Sequence, residues 1–216
     1  MPEHHTPAAS PDAGEAAALM SARHAWLRFV ATGRPLTHHL DDPVRPWQAA
    51  ILADHHHWYG PDAPEQVSGA FVLQYLLQVP AHTAAGAAGI GMRVPVLGRL
   101  TFERGSGGVP CLVEIGAIEP VGGELEERLT RAEADYRAVA EPLARDYRST
   151  RPMSSRQRLG MVTDMWAEAA RTVRGGDGVI TLDEPRRISC CLIYALPGCV
   201  ECAGCPRRRP AGRVSH

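Results

Sequence analysis

The sequence predicts an α+β protein: a mainly helical body carrying a small antiparallel β-sheet or hairpin, followed by a C-terminal cysteine-rich module. Three observations predict it. Apolar residues recur at three- and four-residue intervals over several long stretches, as one buried helix face requires. Between two of these stretches, residues 93–118 are rich in valine, leucine and isoleucine and are interrupted by Gly105-Ser106-Gly107-Gly108, a turn signal. Five of the six cysteines fall in the sixteen positions from Cys190 to Cys205.

Residues 1–14 are polar and rich in proline and alanine, and they read as a disordered lead-in. A helix is expected over 15–31, with Ala18, Leu19, Ala22, Trp26, Phe29 and Val30 on one face and Gly33-Arg34-Pro35 as its stop. The next stretch, to Pro64, is rich in proline and histidine. It holds a short helix over 47–55, entered from Pro46. His38-His39 and His55-His56-His57 stand out there. Adjacent histidines diverge on any regular backbone, so a solvated helix end or loop is expected in preference to a metal site.

A strong helix opens at Pro64-Glu65 and runs to Gln78, with Pro80 as its breaker. The Ala/Gly-rich run 81–90 suits close helix packing. It lacks the Gly-Lys-Ser/Thr ending of a phosphate loop. Strands are expected over 93–102 and 109–118, with Cys111 as a buried core thiol. Two amphipathic helices follow, over 124–147, with Pro142 as a kink point, and from Ser154, a plausible N-cap, to Val173. Arg174-Gly175-Gly176-Asp177-Gly178 is the best boundary signal. It sets a body over 15–178, a cysteine module over 179–209 and a tail over 210–216.

Composition narrows the function classes. A formal net charge of −1 supplies no field for nucleic acid or acidic membranes. All 23 basic residues are arginine, which excludes a lysine nucleophile, a Schiff base and a P-loop lysine. The most apolar stretch, 67–97, is interrupted by Gln74, Gln78, Pro80, His82 and Arg93, so no transmembrane segment is expected. Transient association with a membrane remains compatible with the sequence. No secretory signal is visible, and clustered cysteines without one point to a metal or redox role in the cytoplasm.

The module spaces its cysteines as C-C, ten residues, C-x2-C, with Cys199 inside the spacer. Four soft thiolates close together bind zinc or an iron–sulfur cluster. A C-x2-C turn suits two thiolates on one ion, with Gly204 permitting the tight turn. Cys190 and Cys191 are adjacent, so they must sit on a turn or reach different sides of one compact cluster. Leu196-Pro197-Gly198 supplies the bend that returns the second pair.

The run Arg186-Arg187-Ile188-Ser189-Cys190-Cys191-Leu192-Ile193-Tyr194-Ala195-Leu196-Pro197-Gly198, with Cys202-Ala203-Gly204-Cys205-Pro206, resembles the C-terminal signature of the FhuF family of ferric siderophore reductases. The upstream order resembles that family too: apolar helix, Ala/Gly segment, small β region, then two helices ending near Trp166. Cys199 and Ala195 depart from the family's usual residues. The resemblance implies a [2Fe-2S] cluster held by Cys190, Cys191, Cys202 and Cys205 in the 179–209 module, with Cys199 left over. It implies an oxidoreductase that releases iron by one-electron reduction of a ferric siderophore. Its electron donor would be external, a ferredoxin or a flavin reductase, because no nicotinamide or flavin fingerprint is present. The Arg186-Arg187 and Arg207-Arg208-Arg209 flanks would raise the cluster potential and attract anionic partners. Two other functions fit the residues: a structural zinc module in a non-enzymatic protein, and an iron–sulfur protein for sensing or electron relay.

Overall fold

Residues 12–175 and 186–208 are described by a computed structural model. Most of the expected lead-in, the 178/179 boundary, Arg209 and the tail lie outside the described residues.

The body is built around one helix. Helix α3 (Glu65–Gly89) packs against α2 (Val44–Tyr59), α4 (Leu125–Asp146) and α5 (Ser155–Val173). From Val67 to Ala88 nearly every residue of α3 is buried. The Ala/Gly run is therefore its second half, and the small side chains there let neighbours approach. Pro80 does not end the helix as expected. It forfeits one backbone bond at a cost of about 3 kcal/mol. Its neighbours Leu76, Leu77 and Val79 are buried, and each contributes about 1.5–3 kcal/mol. Packing on several sides outweighs the break.

The first helix, α1 (Ala13–Ser21), is shorter than expected. The Ser21 hydroxyl donates to Ala17 O at 2.7 Å and accepts from Phe29 N at 2.8 Å, so the serine closes the helix and catches the chain as it returns. Residues expected to continue the helix instead form strand β1 (Arg28–Val30). Strand β1 pairs in parallel with β5 (Pro110–Glu114), Phe29 opposite Val113. Phe29 is buried there, whereas Trp26 stays partly exposed beside His24 and His82.

The expected hairpin is present as β4 (Thr101–Arg104) against β5, antiparallel, with an irregularity at Glu103/Arg104. The edge strand β2 (His38–His39) completes a four-stranded sheet of order β1-β5-β4-β2. A two-stranded ribbon joins β3 (Met92–Arg93) to β6 (Glu119–Pro120). Among the described residues, only the β1/β5 pairing departs from an antiparallel arrangement. Cys111 is half-buried rather than in the core, and its Sγ lies 3.6 Å from Glu103 O.

Helix α2 extends two residues before Pro46 and four past His55, so the histidine triplet lies on its last turns. Helix α4 continues through Pro142. Helix α5 starts as expected, with the Ser154 hydroxyl accepting from Gln157 N at 3.1 Å. Among the described residues, no helix is long and apolar enough to cross a membrane.

Candidate metal centre

Helix α5 anchors the cysteine segment. Gln157, Gly160, Asp164 and Glu168 recur at helical spacing and form one stripe. The Asp164 carboxylate is buried and accepts from Ile188 N and Ser189 N, each at 2.8 Å, and from the Ser189 hydroxyl. Gln157 Nε2 donates to Cys190 O at 3.0 Å. Gly160 makes room for the contact: a Cβ there would lie 3.1 Å from Ile188 Cγ2 and 3.3 Å from Ser189 Cβ.

Two further devices shape the segment. Leu192 adopts φ 65°, a left-handed conformation that a branched side chain takes up only when its surroundings enforce it. That turn brings Leu192 N to 3.4 Å from Cys190 Sγ. The chain then passes through a 3-10 turn, Ile193–Ala195, and buries Leu196 against Ala63 and Val67. At the other end, Arg187 N donates to Gly204 O and Cys205 N to Cys202 O, both at 3.0 Å. The C-x2-C turn is thereby fixed beside Cys190-Cys191.

Two of the four thiols are in direct contact. Cys190 Sγ lies 3.9 Å from Cys205 Sγ. Cys191 and Cys202 lie close enough to influence each other's ionisation. Cys190, Cys191, Cys202 and Cys205 are all free thiols. Cys199 packs instead against the Ala63–Val67–Leu196 cluster. Among the described residues, no three His, Cys, Asp or Glu side chains converge in a way that would hold a metal ion. Four cysteine thiolates are the donor set that a [2Fe-2S] cluster takes. Sulfurs bound at ~2.3 Å to one tetrahedral ion lie about 3.8 Å apart, close to the Cys190–Cys205 separation. The residues present therefore fit a [2Fe-2S] group.

The electrostatics differ among the thiols. The neighbouring Cys202 thiol, then the Ile193 N–H and the Arg187 guanidinium, hold Cys191 down at about 6 against burial. Cys202 is pushed up by Cys191 and by burial. Burial raises Cys190 to about 11, against the Leu192 N–H. The Arg187 side chain is only 11% exposed, with Nε 4.0 Å from Asp164 Oδ2 and Nη2 3.9 Å from Met165 Sδ. It also acts on the Glu168 carboxylate. Among the described residues of the expected arginine flanks, Arg187 is the one whose side chain turns inward. Arg207 stacks over Tyr194 at 4.5 Å, and Arg186 donates to Arg208 O.

Residues 187–207 match the FhuF 2Fe-2S C-terminal domain family. The C-terminal segment is FhuF-like. That domain takes a [2Fe-2S] cluster as its cofactor, and the matched residues include all five clustered cysteines. No curated protein and no solved structure matches the chain.

The FhuF-like segment uses residues that periodicity did not single out. Gln157, Gly160 and Asp164 position it, and Tyr75 on α3 lies near enough to Cys191 to feel its charge. Burial and Cys191 raise the Tyr75 hydroxyl to about 12. A polar stripe on an otherwise amphipathic helix was the available signal, but such stripes ordinarily face water. The histidine runs stand apart from the thiols. His55 packs on Phe71 and Tyr59, and His56 Nε2 lies 3.3 Å from Ala63 O. His38 faces Arg104 and Asp42. A cleft of about 270 Å³ lined by Arg34, Arg99 and Glu114 shares no residue with the cysteine segment. An open cleft of about 210 Å³ does reach it, lined by Arg156, Gln157, Ile188, Cys190, Leu192 and Pro206.

Proposed function

We propose that the protein is a ferric siderophore reductase. The observation that carries this reading is a FhuF-like segment of free thiols, with Cys190 and Cys205 in contact, that borders an open cleft. Cys190, Cys191, Cys202 and Cys205 would hold the [2Fe-2S] cluster. The cluster, when bound, supplies a one-electron carrier.

The chain's own residues set the conditions. Asp164, Gln157 and Gly160 fix the thiolate loop to the body, 15–178, and the 179–209 module presents it. The Leu192 N–H and the Arg187 guanidinium stabilise negative charge on sulfur, which raises the potential. Arg156 beside Cys190 favours an anionic ligand in the cleft.

The chemistry needs no acid or base. Hydroxamate and catecholate siderophores hold Fe(III) through hard oxygen donors. One electron from an external ferredoxin or flavin reductase, passed to that iron, gives Fe(II), which the same donors hold far less tightly. The cytoplasm supplies such donors.

The test is anaerobic. Chemically reduced protein is mixed with ferric hydroxamate and ferric catecholate complexes in the presence of an Fe(II) chelator. One chelated Fe(II) per electron supports the proposal. Absence of Fe(II) with every siderophore class, from protein shown to carry a reduced cluster, would turn the assignment to sensing or relay.

A further inference from the structure

We propose that the body carries a second ligand site, apart from the cysteine segment: a pocket between the start of α2 and the β2/β4 edge of the sheet that takes a planar aromatic anion, an aryl carboxylate or catecholate, on Arg104. The site is built from residues of the body alone, so it stands or falls independently of the [2Fe-2S] reading.

The cavity measures about 250 Å³, with Val44, Leu76 and Phe102 among its apolar walls and His38, Asp42 and Arg104 among its polar groups. Drug-sized ligands take about 300–1,000 Å³, so this space suits a single ring rather than a multi-ring cofactor.

Arg104 supplies the need for an anion. It is half-buried, its guanidinium carbon lies 4.8 Å from the centre of the Trp47 ring, and its Nη2 lies 3.3 Å from His38 Nδ1. Among the described residues, no carboxylate forms an ion pair with it. The two carboxylates that act on it, Asp42 and Glu103, are engaged elsewhere. Glu103 accepts from Thr37 N at 2.9 Å and from the Thr37 hydroxyl at 2.6 Å. Asp42 accepts from His39 N at 2.9 Å and faces His38 Nδ1 at 3.7 Å. Burial, and then Arg104 itself, lower the His38 pKa, so near pH 7 its imidazole is neutral and accepts from the arginine. A guanidinium carries five N–H donors in a planar fork, and one bond to His38 leaves donors free for a carboxylate or catecholate.

The pocket is held in shape before any ligand arrives. Trp47 Nε1 donates to Gly108 O at 3.0 Å, and its ring is flanked by Phe102 at 5.7 Å and Tyr75 at 6.3 Å. Gly108 has φ 68°, and a Cβ there would lie 2.6 Å from Ile51 Cδ1, so glycine is what lets this turn close on Trp47. His38 pairs with Phe102 across the strand edge, and the irregularity at Glu103/Arg104 is of the kind that redirects a side chain. Past Pro43 and Val44 the groove continues into an open cleft of about 400 Å³ that reaches Leu143 and Arg148. One chemistry therefore has two sources: a free aryl acid filling the pocket, or one aryl arm of a catecholate siderophore whose remainder lies in the open cleft.

Calorimetric titration of the full-length protein with benzoate and with dihydroxybenzoate tests the site. One molecule per chain should bind. Arg104→Gln should weaken binding at least about tenfold. Arg104→Lys keeps the charge but loses the fork and should fall between. Asp42→Asn removes a carboxylate that acts on Arg104 and should tighten binding, which keeps the test open if Arg104→Gln does not fold by circular dichroism. Benzamide, the neutral counterpart, should bind more weakly than benzoate. No binding of either aryl acid, benzamide equal to benzoate, undiminished binding in folded Arg104→Gln, or no gain in Asp42→Asn would overturn the proposal. The redox-inert gallium complex of a catecholate siderophore separates the two sources. Displacement of bound dihydroxybenzoate assigns the site to a siderophore arm, and failure to compete assigns it to the free acid.

Discussion

The backbone N–H of Ser189 donates to Asp164 Oδ2 at 2.8 Å, and through that bond helix α5 holds the residue that precedes both adjacent cysteines. The same carboxylate accepts from Ile188 N and faces Arg187. Asp164→Asn would set an amide donor against at least one of these N–H groups and remove the charge facing Arg187. The expected loss is about 2 kcal/mol, or a Tm lower by about 4–8 °C for a domain of this size. Iron per chain should fall with it. Thermal denaturation and metal analysis check both.

Gly160 tests the same junction by volume. A Cβ there would press on Ile188 and Ser189 at 3.1–3.3 Å. Gly160→Val should cost about 1–3 kcal/mol and lower iron occupancy, whereas Gly160→Ala should have the smaller effect. Circular dichroism should show an intact helical body in both.

Arg187 is expected to set the potential rather than the stability of the loaded site. Arg187→Gln removes a largely buried cation whose charge favours the thiolate forms of Cys191 and Cys202. The midpoint potential should fall by about 60 mV, a tenfold change in a one-electron equilibrium. Redox titration followed by absorption measures it, and an unchanged potential would assign the tuning to the N–H groups alone.

His24 gives the body a pH dependence of its own. Burial, then the neighbouring His82 and Arg23, lower its pKa from 6.5 to about 4, with Glu168 opposing. The unfolded chain therefore binds a proton that the folded protein excludes. Stability from this group is complete above about pH 6.5 and is lost as pH falls toward 4. Denaturant melts across that window should show the decline, and His24→Phe should flatten it.

Much of the fold was legible because periodicity survives where one face is buried. Helices α4 and α5 and the β4/β5 hairpin follow from their patterns. Helix α3 continues past Pro80 because neighbours pack on several sides, which a one-dimensional breaker rule cannot register. Strand β1 was hidden because Phe29 and Val30 fit a helical face as well as they fit the pairing with β5. At the site, the cysteine spacing was legible and its supports were not. Asp164 and Gln157 look like solvated helix residues until the segment that covers them is placed. The boundary near 178 lies outside the described residues and stays a proposal.

Anaerobic absorption and EPR spectroscopy of purified wild-type protein, with iron, sulfide and zinc analysis of the same sample, tests the central assignment most directly. A red-brown protein with equal iron and sulfide, and an EPR signal that appears on reduction, is expected. It should keep its colour in Cys199→Ser and lose its cluster in Cys202→Ala. A colourless protein containing zinc and no sulfide would contradict the iron–sulfur assignment and the reductase proposal with it.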